Sequence, residues 1–150
     1  MSAPSTDPYQ LSRFVDAQED CYATALEEIR AGAKQSHWMW FIFPQFEGLG
    51  QSSTSRHFAI TSIDEACAYV AHALLGPRLL KCAEAIASND SPTAEEIFGG
   101  IDTQKLRSSL TLFMRAVPDE PIFAQLLQKH FSGLADSATE ELIRRHLTAT

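Results

Sequence analysis

The chain lacks any apolar run long enough to cross a bilayer; its densest one, Trp38 to Phe43, falls far short of the roughly 20 residues a spanning helix needs. It also lacks a block of lysine or arginine. Twelve basic residues stand against 19 acidic ones, for a formal net charge of −7 and a pI near 5.1, so neither nucleic acid nor a membrane is expected as a partner. Met1 to Asp7 has no basic residue and no apolar stretch of signal length behind it, so a soluble, cytoplasmic protein is the expectation.

Cysteine is sparse. Cys21, Cys67 and Cys82 lie far apart, without the C-x-x-C spacing of a zinc or redox site, and read as buried free thiols in a reducing compartment. The histidines His37, His57, His72, His130 and His146 form neither H-E-x-x-H nor H-x-x-x-H, and no carboxylate stands at ligand spacing from His37 or His57, so no metal is expected. The serine-rich loop after Gly48-Leu49-Gly50 has no G-x-x-x-x-G-K-[ST] and follows no strand, so the phosphate loop and the dinucleotide fingerprint both fail. No cofactor is expected.

What the chain does have is helical periodicity. At 150 residues it fits one domain, residues 1–150, able to bury roughly two thirds of its unfolded surface. Asp7 suits a helix cap with Pro8 in the first turn and Gln10 third, and Leu11, Phe14, Val15, Tyr22, Ala25, Leu26 and Ile29 trace an apolar stripe that Gly32 ends, with a kink near Asp20. Gln18 alone interrupts that stripe and needs a partner. His37 to Phe43 reads as a short buried helix ended by Pro44, Phe46 to Ser55 as a loop, and Arg56 to Ile60 as strand-like or irregular.

Further helices follow. Ser62 with Glu65 forms a capping box before Ile63, and Gly76-Pro77 restarts the chain into a helix ending around Asn89. Ser91-Pro92 opens a short helix that Gly99-Gly100 stops, Asp102 caps the next, Asp119 starts another, and Ser137 with Glu140 caps the last. After Asp102 the core face is Leu106, Leu110, Phe113, Met114 and Val117, with Lys105, Ser108, Ser109 and Leu112 on a neighbouring face. The fold class is therefore all-α, a compact single domain of about seven or eight short helices.

The densest chemistry is the string His37-Trp38-Met39-Trp40-Phe41-Ile42-Phe43-Pro44-Gln45, which must bury aromatic area and so holds the polar residues at its ends against a rigid wall. Backbone amides at Gly48 and Gly50, nearby hydroxyls and Arg56 are directional donors suited to a phosphate or carboxylate. Lys105 and Ser109 share a helix face at i,i+4, which admits anion binding or a Ser-Lys pair. His37 and His57 are the candidate general bases, though a structural role suits each as well.

Several motifs together resemble the bacterial DUF1810 family of conserved hypothetical proteins, some of which carry the label calpastatin. These are Asp7-Pro8-Tyr9, Arg13-Phe14, Ala17-Gln18, Lys34, the Ser36 to Gln45 string, Gly48-Leu49-Gly50, Leu75-Gly76-Pro77-Arg78-Leu79, Ile97-Phe98-Gly99, and Asp102 with Lys105-Leu106-Arg107-Ser108-Ser109 and Thr111-Leu112-Phe113. The resemblance runs from about Asp7 to Phe131 and implies a small all-α fold; it brings no activity with it. Leu110 stands where many members have methionine, and Ala73 where a proline commonly follows the histidine matched by His72.

Three functions compete on these residues. A ligand-binding domain would use Lys34, His37, Trp38, Gln45, Gly48, Gly50, Arg56, Lys105 and Ser109 to hold a small anionic or nucleotide-like molecule. A hydrolase of a phosphorylated or ribosylated compound would need His37 or His57 as base, with an orienting group beside it. A protein-interaction module would place Trp38 or the loop near Gly48 at a contact. No pattern in the chain points to an oligomeric state.

Overall fold

Asp7 starts the architecture: its carboxylate accepts from the amides of Leu11 (2.6 Å) and Ser12 (2.9 Å). Pro8 to Gln10 then forms a turn ahead of the first helix rather than its first turn, with Gln10 at φ 54. The computed structural model describes residues 7–50, 52–89 and 93–148. Among them nine α-helices follow in order: α1 (Ser12–Gln18), α2 (Tyr22–Ala31), α3 (Met39–Ile42), α4 (Ser53–His57), α5 (Ile63–Ala71), α6 (Leu75–Ser88), α7 (Ala94–Ala116), α8 (Ile122–Phe131) and α9 (Ser137–Thr148). The all-α class and single core are as expected.

Two local events add to the expected helices. The Leu11 to Ile29 stripe is two helices, because the chain turns through Glu19 and Asp20 before Tyr22. The serine-rich stretch is not all loop, since Ser52 Oγ accepts from Ser55 N and caps α4, which also replaces the strand-like reading of Arg56 and His57. Only Ile60 keeps a strand character, in an isolated parallel bridge to Phe46. Gly99, at φ 80 and ψ 166, is non-helical, so the α7 span is two helices meeting at a kink, where the glycine pair was expected to stop the first.

Several caps differ from their expected residues. Thr93 Oγ1 accepts from Glu96 N at the start of α7, whereas Ser91 and Pro92 lie outside the described residues. Asp102 sits within α7 and binds lysines rather than capping a helix. Pro121, not Asp119, precedes α8, and Asp136 rather than Ser137 accepts from Thr139 N (2.9 Å) to start α9. Ser62 does accept from Glu65 N, but the Glu65 carboxylate reaches Thr61 N rather than Ser62 N, because it also pairs with Arg13.

Helix α7 is the central element, packed on α3, α5, α8 and α9. Its burial therefore extends round the helix: Leu106, Leu110 and Phe113 are inside as expected, and so are Ser108, Ser109 and Leu112, which periodicity placed on a neighbouring face. Gln18 finds three partners, donating to Phe41 O (2.6 Å) and Tyr69 Oη (2.9 Å) and accepting from Arg78 (3.3 Å). That knot fixes α3, and with it the aromatic string, against α1, α5 and α6. Cys82 is buried and Cys21 and Cys67 are partly so, all three as free thiols.

Candidate functional site

The aromatic string splits by depth. Trp38 is fully buried, and its indole N–H donates to Glu28 Oε1 at 2.9 Å. The same carboxylate accepts from Gln35 N, Ser36 N and Ser36 Oγ. Burial pushes the Glu28 carboxyl up, but these four donors outweigh it and bring it down to about 2. Trp38 is thus core, and Glu28 pins the loop that leads into α3.

Trp40, two residues on, is half-buried. Lys105 Nζ lies 3.9 Å from its ring centroid. Lys105 and Lys34 both bind Asp102, at 3.2 and 2.8 Å, while Lys34 also donates to Ser36 O (2.5 Å) and stands 4.9 Å from the Trp38 ring. Burial raises the Asp102 carboxyl, and the two ammonium groups more than reverse that, leaving it below its ordinary value. The Lys34 side chain is only 6% exposed, and this cluster of two ammonium groups on one carboxylate braces the 33–38 loop against α7.

Trp40 also lines a small cavity with Gln45, Phe46, Glu47, Gly48, Gly50, Ser55, Arg56, Phe58 and Ala59. The free space is about 20 Å³, room for one water or one ligand oxygen. Gly50 permits the close approach of loop to helix, since a side-chain carbon there would overlap Ser55. Gln45 is 9% exposed, and its Nε2 is buried with no hydrogen-bond partner. Arg56 is exposed and forms no ion pair or side-chain hydrogen bond among the described residues, and the Gly48 and Gly50 amides have no protein acceptor there.

Of the residues singled out from sequence, Gln45, Gly48, Gly50 and Arg56 therefore meet at one cavity, and Lys34 and Lys105 meet beside its Trp40 wall. The others lie elsewhere. His37 is exposed, and His57 is exposed with its ring 4.7 Å from that of Phe58; neither lines the cavity. Ser109 is fully buried, and its Oγ has no hydrogen-bond partner, so no Ser-Lys pair forms with Lys105. Trp40, Phe46, Phe58 and Asp102 were missed as site elements. Asp102 to Lys105 at i,i+3 was a readable signal for one of them; the Phe46 to Ile60 bridge that brings Phe58 and Ala59 round was not.

A family model described as a protein of unknown function, DUF1810, matches residues 8–143. The chain belongs to the DUF1810 family. The match extends past the Phe131 limit of the motifs and takes in most of α9. This DUF1810 chain is also similar to a solved structure, the conserved hypothetical protein Rv1873 from Mycobacterium tuberculosis at 1.38 Å. The two are 46% identical, with a TM-score of 0.90 over 92% of this chain and 99% of that one. No curated protein matches. Among the described residues of the DUF1810 chain, no helix is long and apolar enough to cross a membrane, and no group of three His, Cys, Asp or Glu could hold a metal ion.

Proposed function

We propose that this protein is a binding domain for a small monoanion, a carboxylate in the first instance, seated at the cavity between Trp40, Gln45 and Arg56. The observation that carries this reading is the buried Gln45 Nε2, a donor without an acceptor at the wall of a space that admits one oxygen atom. An unmet buried donor costs roughly 1–3 kcal/mol, a cost that an incoming acceptor removes. Arg56 supplies the compensating charge, and the free Gly48 and Gly50 amides supply further donors.

The charge balance of the lining narrows the ligand. Arg56 is its single cation and Glu47 its single carboxylate, so a tri- or tetra-anionic nucleotide tail would have one charge paired and the rest uncompensated. One negative charge placed on the Arg56 side fits. The hydrolase reading lacks a corresponding feature, because neither His37 nor His57 lines the cavity. The interaction reading had two anchors, Trp38, which is buried, and the loop near Gly48, which lines this cavity.

Titration of the protein with acetate and with inorganic phosphate, followed by amide chemical shifts, tests the reading. Acetate is expected to move Gly48, Gly50 and Arg56 with a dissociation constant of roughly millimolar order, the range open to a four-atom ligand. Arg56→Ala and Gln45→Leu should each weaken it about fivefold or more. Absence of saturable shifts at those amides, or unchanged affinity in both variants, overturns it.

A further inference from the structure

Arg56 borders a second space as well. Arg56 and Ala59 also line a wider groove of about 430 Å³ with Pro8, Tyr9, Gln10, Arg13, His57, Thr61 and Glu65. Its volume lies within the range that holds a small organic molecule. The geometry points to one two-part site, in which the ligand is an elongated monocarboxylate with its carboxylate at Gln45 and Arg56 and an uncharged, partly apolar body in the groove. This rests on the carboxylate reading above and adds the class of molecule that carries the carboxylate.

The charged groups on the groove floor are committed to one another. Arg13 is a second cation of the groove, yet all five of its N–H groups are engaged. Nε donates to His57 O, one terminal nitrogen to Tyr9 O and Gln10 O, and the other to Ala59 O and Glu65 Oε2. The Glu65 carboxylate is equally occupied, by Arg13 and by the amide and hydroxyl of Thr61. Those contacts make the floor a closed ion pair, with side chains 14% and 3% exposed, and leave it no net charge and no unused donor.

Around that floor the walls are Pro8, Tyr9 and Ala59, with Gln10, His57 and the Tyr9 hydroxyl as the polar side-chain groups uncommitted among the described residues. A second anionic group would find no guanidinium in the groove beyond Arg56, which the carboxylate takes, and a cationic body would lie beside Arg56. Fixed charge is recognised at one end only. The body gains by covering Tyr9, Pro8 and Ala59.

Three probes separate the two parts: acetate, N-benzoylglycine and the carboxamide of N-benzoylglycine, each titrated into the full chain and followed by amide shifts. N-Benzoylglycine is expected to bind about tenfold or more tighter than acetate. It should add shifts at Gln10, His57 and Thr61 to those at Gly48, Gly50 and Arg56, and the carboxamide should lose most of that affinity. Tyr9→Ala should remove the gain of N-benzoylglycine over acetate while leaving acetate unchanged, and the shift pattern reads the same point without a variant. If N-benzoylglycine binds no tighter than acetate, or leaves Gln10, His57 and Thr61 unmoved, the two-part site is wrong and the carboxylate reading stands. Equal binding of the carboxamide overturns the monoanion class, and failure of all three probes overturns both.

Discussion

Lys105 Nζ lies 3.9 Å from the centre of the Trp40 ring and 3.2 Å from Asp102 Oδ1, so one ammonium ties the wall of the cavity to the central helix α7. The indole is held by a group with a partner of its own. Lys34 extends the brace to the 33–38 loop, through Asp102 and Ser36. The wall is rigid because charge, and not apolar contact alone, fixes it.

Lys105→Met keeps the stem and removes the charge. The lost cation–π contact and ion pair are worth about 1 kcal/mol together at this partly exposed position, and melting should fall by about 2–4 °C. Trp40 emission should shift and become more accessible to acrylamide, whereas the buried Trp38 stays protected. Identical quenching in both proteins would show that Lys105 does not position the ring.

Gln18→Leu tests the knot beneath α3. Leucine fills the space but leaves Arg78 and the Tyr69 hydroxyl without the amide, although Tyr69 still reaches Phe41 O at 3.2 Å. The expected cost is about 2–3 kcal/mol, seen as a lower urea midpoint with an unchanged slope. A loss below about 0.5 kcal/mol would mean the three bonds contribute nothing net.

That Gln18 needed a partner was legible, because a single polar residue on an apolar stripe is a local pattern with one physical resolution. The identity of its partners was not. Phe41, Tyr69 and Arg78 lie 23, 51 and 60 residues away, and periodicity carries no information over that separation. The same division holds at the site. Gln45, Gly48, Gly50 and Arg56 are close in sequence and could be grouped by their donors, while Ala59 and Phe58 join them only through the Phe46 to Ile60 bridge. Asp102 was misread for a related reason. Before a helix an aspartate reads as a cap; the i,i+3 spacing to Lys105 is local, but only the fold brings Lys34 to the same carboxylate.

Gly76→Ala should be severe. A side-chain carbon at Gly76 would overlap the Val70 carbonyl oxygen, a backbone atom that cannot swing aside, so α5 and α6 must separate. A loss of more than about 2 kcal/mol is expected, on the scale of overpacking in a core. Gly100→Ala is the matched control, since open space surrounds it within α7 and alanine should be neutral or stabilise by up to about 1 kcal/mol. Similar melting temperatures for the two variants would rule out close backbone approach as the reason for glycine at position 76.

Glu28 makes stability depend on pH in a defined window. Its carboxyl titrates at about 2 in the folded chain against an ordinary 4.5, because Gln35, Ser36 and Trp38 donate to the ionised form. Between those values the unfolded chain takes up a proton that the folded chain does not. The contribution is therefore complete above about pH 5 and is lost as pH falls through 2. Glu28→Gln removes it: the variant should lose roughly 2 kcal/mol at pH 7, and the gap to the wild type should close as both are acidified. Asp7 and Asp102 are also held low and will steepen both curves alike, so the difference between the two proteins isolates Glu28. Denaturant unfolding at half-unit steps from pH 7 to 2 measures it, and a gap that stays constant across that range would show that the carboxylate is not what pins the loop.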